Sequence, residues 1–362
     1  MKNTFGNSLS ITLFGESHGK SVGAVIDGIA PGITVDEEFI KLKLSQRRPW
    51  GKISTARQEE DCFEIHSGVF CGKTTGTPIC IIIPNNDTRS KDYNEFKSIA
   101  RPSHADFTAE CKYHGFQDYR GGGHFSGRIT AALVAAGAIL LGALQQKGVY
   151  IGTHIKSVGE ICDRDFQSEN DIKILSEKLF AVLDGAVEQK MIEKIQSAFD
   201  DGNSVGGVLE TMVSGMPAGV GEPWFDTVEG LLAHALFSVP AVKGVEFGLG
   251  FDITRLMGDC ANDQFKMQDG KVVTATNNNG GINGGITNGM PLLYRTAIKP
   301  TPTISKTQNT VDLRNLSDTT VSAKGRHDPC IVHRARAVVD AISAIALADL
   351  LCCRYGTDWL AK

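Results

Sequence analysis

The sequence lacks most of the features that assign a protein at sight. Its nine cysteines include no Cys-x-x-Cys pair and only one adjacent pair, Cys352-Cys353. An odd count without framework spacing, and with no secretory leader, reads as reduced thiols in a cytoplasmic protein. There is no basic surplus: the net charge is −4, which argues against a dedicated nucleic-acid binder. There is no long hydrophobic run either. The most apolar stretch, Ile129 to Leu144, has 16 residues, short of the roughly 20 that span a bilayer, and reads as a buried core helix. A fixed-period repeat, a low-complexity tract and a Pro/Ser-rich linker are all missing, which favours one domain over residues 1–362. Neither the phosphate-loop pattern G-x-x-x-x-G-K-[ST] nor the zinc pattern H-E-x-x-H occurs.

What the sequence has in excess is glycine, 40 of 362 residues, against a usual share near 7%. The glycines follow no collagen period. They therefore serve turns, caps or a close backbone approach to a ligand.

Hydrophobic patterning gives a coarse order of elements. Val22–Ile29, Phe63–Phe70, Thr77–Ile83, Val149–Val158, Val205–Met212, Val245–Phe251 and Leu292–Lys299 read as strands. Thr34 with Glu37 three residues on reads as a capping box opening a helix over Val35–Gln46. Further helices are expected from about Ile129, over Asp171–Ala198 with a break near Gly185, over Val228–Leu236 and over Arg334–Leu351. Helices and strands interleave without a strict βαβ rhythm, as in a single α/β-type domain. Residues 85–128 are polar, rich in Gly, Arg and His, and show no period. Long irregular segments in compact domains are usually functional.

Three histidines sit in glycine- or proline-stiffened loops: Gly15-Glu16-Ser17-His18-Gly19, Arg101-Pro102-Ser103-His104-Ala105-Asp106 and Lys324-Gly325-Arg326-His327-Asp328-Pro329-Cys330. A neighbouring acid can set the tautomer of His104. Asp328 is a candidate base and equally a candidate helix cap. Around these loops lie Arg47, Arg48, Lys52, Arg57, Arg89, Arg101, Arg120, Arg128, Lys299 and Arg326. Arginines beside glycine loops in an acidic protein suit a multiply anionic small ligand. The segment Tyr119 to Arg128, with Gly121-Gly122-Gly123, runs into the apolar helix, whose N-terminus favours anions. It is not a dinucleotide fingerprint, because no apolar strand precedes it. The pattern G-x-S-x-G occurs around Ser17, Ser21 and Ser204, but each leads into a strand rather than a helix, against a nucleophile elbow. A lone Lys299-Pro300 is weak evidence for a Schiff base.

Six segments together carry a resemblance: Gly15 to Gly19, Arg47-Arg48-Pro49, Arg101 to Asp106, Asp118 to Gly123, Lys243 to Gly248 and Gly325 to Cys330. In order and spacing they resemble the chorismate synthase family over essentially the whole chain. The resemblance implies an α+β fold, a β-α-β-α sandwich with helices packed between antiparallel sheets in a single large domain, assembled as a homotetramer. It implies a carbon–oxygen lyase of the shikimate pathway, supplying aromatic amino acid biosynthesis. The reaction is a 1,4-anti elimination of phosphate and a C6 proton from 5-enolpyruvylshikimate 3-phosphate, with reduced FMN and no net redox change. NADPH enters only as an external reductant.

By the same resemblance, His18, His104 and Asp328 are catalytic. His18 stands near the leaving phosphate, His104 near flavin N1 and Asp328 near flavin N5. Ser17, Arg47, Arg48, Lys52 and Arg128 are expected to hold substrate, Arg47 and Lys52 matching a basic pair also assigned to NADP. His124, Phe125, Ser126, Pro240, Ala241, Gly284, Lys299, Pro300, Thr301, Pro302, Thr303 and Arg326 are expected at FMN. Lys52 stands where an arginine is common, and His124-Phe125 replaces the commoner Arg-Ser, which points to stacking or a backbone contact there. No metal, nucleic acid or membrane is implied. The rival readings are a catalytically dead flavin- or phosphate-binding protein of the same fold and a metal-dependent phosphohydrolase. The latter is weakened by the lack of an i, i+4 ligand pair.

Overall fold

The structure, a computed structural model, describes residues 2–51, 53–54, 60–86, 97–322 and 328–361. Lys52 and Arg326, like Arg57 and Arg89, lie outside the described residues. The first sheet takes β1 (Thr4–Phe5), β2 (Ser10–Gly15), β3 (Ser21–Asp27), β4 (Glu64–Ser67) and β7 (Ile79–Pro84) in the order β1-β2-β3-β7-β4, every neighbour antiparallel. A short ribbon, β5 (Val69–Phe70) with β6 (Lys73–Thr74), hangs from it. Along β7, Ile79, Ile81 and Ile83 are buried and alternate with half-buried residues, so this sheet has one core face.

The second sheet takes β8 (Tyr150–Val158), β9 (Ile161–Cys162), β10 (Gly207–Ser214), β11 (Val242–Phe247) and β16 (Leu292–Ile298) in the order β11-β16-β10-β8-β9, again antiparallel throughout. Three further ribbons are β12 (Phe265–Gln268) with β13 (Lys271–Thr274), β14 (Ile282–Asn283) with β15 (Ile286–Thr287), and β17 (Gln308–Asp312) with β18 (Ser317–Val321).

Between the two sheets lie α1 (Glu37–Arg47), α3 (Thr130–Gln146), α6 (Val228–Phe237) and α8 (Val332–Tyr355). The small helix α2 (Asp106–Tyr113) stands in the loop region before α3, and α7 (Gly258–Ala261) is a single turn. α3 is apolar all round because it touches the first sheet, α1 and α8 at once. Its backbone comes so close to α8 that a Cβ on Gly137 would lie 2.5 Å from the Cβ of Ala341. On the far face of the second sheet lie α4 (Asn170–Leu175) and α5 (Gly185–Asp200). That outer cover explains why β8 and β10 are buried on both faces. The layers are therefore sheet, helices, sheet, helices: the α+β sandwich implied by the resemblance, around one main core with a small satellite cluster of Leu175, Ala181 and Leu183.

Several expectations are corrected. Asp36, not Thr34, caps α1, accepting from the Phe39 N–H at 3.0 Å. Thr34 is still extended and bridges to Lys73. The strand expected over Phe63–Phe70 is broken at Gly68, whose φ is +80°. The strand expected over Val245–Phe251 begins at Val242 and stops at Phe247. Gly248 turns the chain at φ +57°, where a Cβ would strike the Asn278 carbonyl oxygen at 2.0 Å. The irregular segment holds α2, eight residues long and too short to display a helical period. With its preceding turn, the apolar helix spans Gly127–Gln146, 20 residues, long and apolar enough to cross a membrane by length. It is nonetheless buried inside the protein over 89% of its apolar window.

Between the second sheet and its outer cover, His154 is fully buried. Its Nδ1 lies 2.9 Å from Asp163 Oδ2 and its Nε2 3.0 Å from Glu210 Oε2. Burial alone would lower its pKa, but the bonds to Asp163 and Glu210 outweigh it and raise it above the ordinary value near 6.5. A histidine raised in the folded state contributes fully below its unfolded pKa, and the contribution is lost as pH rises through the folded one. His154→Gln is expected to cost about 3–5 kcal/mol by leaving two buried carboxylates without their cation. In denaturant melts the gap to wild type should be wider at pH 6 than at pH 9; a gap widening with pH would contradict this.

Candidate functional site

The site is built on the loop between β2 and β3. Gly15 ends β2 at φ +97°, a left-handed turn that a side chain could not make: a Cβ there would lie 2.3 Å from the Ser21 carbonyl oxygen. The loop is a β-hairpin connection, which removes the nucleophile-elbow reading of Ser17 and Ser21. Ser17 is fully buried, and its Oγ has no hydrogen-bond partner among the described residues. His18 is 8% exposed. Asn85, just past the end of β7, holds this loop from beneath: its Nδ2 donates to the carbonyls of Glu16 at 2.9 Å and Gly19 at 3.0 Å.

The glycine triplet packs against the loop. Gly121, Gly122 and Gly123 have φ of +58°, +81° and +54°, three successive left-handed residues that only glycine adopts at low cost. A Cβ on Gly121 would stand 2.2 Å from His18 Cε1, and one on Gly122 3.4 Å from His104 Cε1. The triplet is thus the wall shared by the two histidines. The Gly123 carbonyl accepts the Ser17 N–H at 3.1 Å. Next in the chain, His124 Nδ1 donates to the Gly15 carbonyl at 2.8 Å. Phe125 is partly exposed, edge-on to Tyr113 at 6.0 Å, and Ser126 Oγ accepts the Arg128 N–H. His124 thereby ties the glycine triplet to the end of β2.

His104 is oriented by Asp106. Its Nδ1 donates to Asp106 Oδ1 at 3.0 Å, which leaves Nε2 on the Gly122 side. Arg101 clamps the same carboxylate through its backbone N–H (2.9 Å), Nε (2.8 Å) and a terminal nitrogen (2.7 Å). Burial works against ionisation of Asp106, yet the Arg101 and His104 bonds hold its carboxyl far below the usual range. Ser103, left-handed at φ +57°, has its carbonyl bound by Lys299 Nζ at 2.6 Å. Burial, with Lys243 nearby, pushes the Lys299 ammonium below its ordinary value.

Lys299 brings its own segment to this wall. The Lys299 N–H binds the carbonyl of Ala241, left-handed at φ +73° after Pro240. Ser204 Oγ donates to the Thr301 carbonyl at 2.7 Å. Thr301 Oγ1 is buried without a hydrogen-bond partner among the described residues. Pro300 is exposed, while Pro302 and Thr303 are half-buried. Gly284 turns the β14–β15 hairpin, whose Gly285 packs on Glu222 and Thr227 at the start of α6.

The basic residues form a second cluster. Arg47, in the last turn of α1, donates to Asp61 Oδ2 at 2.8 Å, and Arg128 binds the other oxygen of the same carboxylate. The three side chains are 8%, 3% and 1% exposed. Burial again opposes ionisation, but Arg47 and then Arg128 keep Asp61 below the usual carboxylate range. Arg48 binds the adjacent Glu60 carbonyl. Arg128 also donates to Asn85 Oδ1 at 2.9 Å. Arg334, on α8, donates to Asp328 Oδ2 at 2.6 Å and to the Arg47 carbonyl at 3.0 Å. Beside it, burial and then Arg334 lower the His333 pKa to about 3. This imidazole is neutral and structural, stacked on Phe180 at 6.0 Å. Burial pushes the Cys330 thiol up to about 12, so it is no nucleophile.

Sequence reasoning missed Asp61, Asn85 and Arg334. Asp61 sits in an acidic run that resembles a solvated surface, Asn85 in a strand-ending Pro-Asn-Asn, and Arg334 inside an apolar helix. None carries a local pattern that distinguishes it. Among the described residues no group of three or more His, Cys, Asp or Glu is gathered to hold a metal ion.

Comparison with known proteins gives one result throughout. The family model described as chorismate synthase matches residues 9–352. The chain is 45% identical to chorismate synthase of Thermococcus kodakarensis over 357 residues, covering 99% of both chains. It is 47% identical to that of Pyrococcus abyssi over 346 residues, covering 96% of each. A crystal structure of chorismate synthase superposes with a TM-score of 0.77 at 30% identity, covering 97% of this chain and 94% of that one.

The Gly121 contact is open to direct test. Gly121→Ala, left-handed and pressed on His18, should cost about 1–3 kcal/mol and move the His18 ring resonances in NMR spectra. Gly127→Ala, with open space where its Cβ would stand, should do neither. Equal effects from the two variants would remove Gly121 from the site's framework.

Proposed function

Because this chain belongs to the chorismate synthase family, we propose that it eliminates phosphate and the C6 proton from 5-enolpyruvylshikimate 3-phosphate to give chorismate, with reduced FMN bound. The observation that carries this reading is the glycine wall, Gly121 against His18 and Gly122 against His104. It brings two histidines from distant segments to one surface, beside a buried arginine pair. The family activity and a small-molecule substrate follow from membership; the named substrate, the cofactor and the residue roles are this proposal.

The residues fit a flavin. The orphaned, buried Thr301 hydroxyl, the left-handed Ala241 and the Lys299 ammonium tied to the His104 loop form a set of polar groups suited to a phosphate and a ring edge. Lys299, Pro300, Thr301, Pro302, Thr303, Pro240, Ala241, Gly284 and the His124-Phe125-Ser126 segment would hold it. Bound reduced FMN supplies transient electron density that weakens the allylic C–O bond.

The chain's own residues do the rest. Arg47, Arg48 and Arg128 bind the anionic groups of the substrate. His18 as an imidazolium gives a proton to the departing phosphate. His104, its Nδ1 proton fixed on Asp106, presents Nε2 for a second proton, and the resulting cation offsets developing negative charge. Asp328, held by Arg334, takes the C6 proton. The reductant comes from outside, with NADPH as its ultimate source in the cytoplasm. A homotetramer is supported by the β12–β13 ribbon, where Phe265, Met267 and Val272 share one face and are 67%, 68% and 61% exposed, an apolar surface suited to a second copy.

An anaerobic assay with photoreduced FMN should release phosphate and chorismate from 5-enolpyruvylshikimate 3-phosphate; no phosphate release refutes the reading. His104→Ala should lower kcat by about 10²–10⁴ with only mild loss of substrate affinity, and wild-type turnover in that variant would remove its role. Light scattering should give four copies, and Met267→Glu should reduce the assembly.

A further inference from the structure

We propose that Asp61 is a positioning residue: its buried carboxylate sets the spacing of the Arg47 and Arg128 guanidinium groups that receive the anionic end of the substrate. The inference rests on the reading of the arginines given above and adds to it a residue with no family motif around it. Arg47 comes from the end of α1, Arg128 from the turn before α3, and Asp61 from the stretch before β4. Nothing in the local chain brings the three together. Two guanidinium groups bound to one buried carboxylate repel each other, the more strongly where burial lowers the dielectric. One carboxylate giving an oxygen to each converts that repulsion into a fixed pair.

Arg47 Nε is buried and has no hydrogen-bond partner among the described residues, a donor that the described residues leave unused. Arg128 Nε rests on Asn85 Oδ1, and the Asn85 amide carries the Ser17–His18 loop. Arg128 is thereby held from two sides, by Asp61 and by Asn85. Asp61 does this from a left-handed backbone, φ +52°, a conformation that Asp and Asn both tolerate. Asp61→Asn thus removes the charge while keeping shape and backbone.

The test uses the FMN-loaded enzyme in steady state. Asp61→Asn should raise KM for 5-enolpyruvylshikimate 3-phosphate about 10–100-fold, with kcat changed less than about 5-fold, the signature of lost uniform binding. FMN affinity should stay unchanged. Asp61→Glu, with its charge kept one methylene further out, should raise KM; it decides the matter where the Asn variant does not fold. Inorganic phosphate, titrated calorimetrically into the protein, should bind at least 10-fold more weakly to Asp61→Asn. Unchanged KM and phosphate affinity would overturn the proposal. So would tighter binding, since Asp61 would then be competing with the ligand. If wild type fails to turn over the substrate, the functional reading falls, while the phosphate titration still judges Asp61.

Discussion

Two guanidinium groups cannot lie buried together without an anion between them, and here that anion is Asp61. Everything around it is arranged by the need to keep those charges compensated. Arg47 is the last turn of α1, and its carbonyl takes a bond from Arg334 of α8. Arg334 in turn holds Asp328. On the other side Arg128 leans on Asn85, which carries the hairpin loop of Ser17 and His18. A run of hydrogen bonds therefore leads from Asp328 through Arg334, Arg47, Asp61, Arg128 and Asn85 to the Glu16 and Gly19 carbonyls that flank Ser17 and His18. Its members come from α8, α1, the approach to β4, the start of α3 and the end of β7. The middle helix layer and the first sheet are thus tied together at the site.

The second constraint is steric. His18 and His104 come from loops far apart in sequence, and a wall without side chains is what lets both rings approach it. The three left-handed glycines cost conformational entropy on folding. The cost is offset by the bonds that anchor them, from Ser17 to Gly123 and from His124 to Gly15. Asp106 fixes the ring of His104, and the bare Gly121 backbone lets the His18 ring pack directly against it.

Some of this was legible from residues alone. α3, α6 and α8, β8, β10 and β16 follow their apolar patterns because burial is the property that hydrophobic periodicity records. The Gly-His loops were legible because glycine in unbroken runs has few other uses. α2 was not, being too short for a period, and the cap of α1 was misplaced because Thr34 and Asp36 are equally good caps in sequence. Only the bridge from Thr34 to Lys73 decides between them.

The sequence by itself singled out the candidate segments: the histidine loops, the glycine triplet and the basic residues, all marked by residue type and order. Tertiary structure alone decided how they meet. That Arg47 and Arg128 share Asp61, that Asn85 holds the backbone on either side of Ser17 and His18, and that Gly121 and Gly122 face different histidines are relations between residues up to 103 positions apart. Such pairings arise from charge compensation and close packing between layers, which act through space and leave no period or motif in the chain.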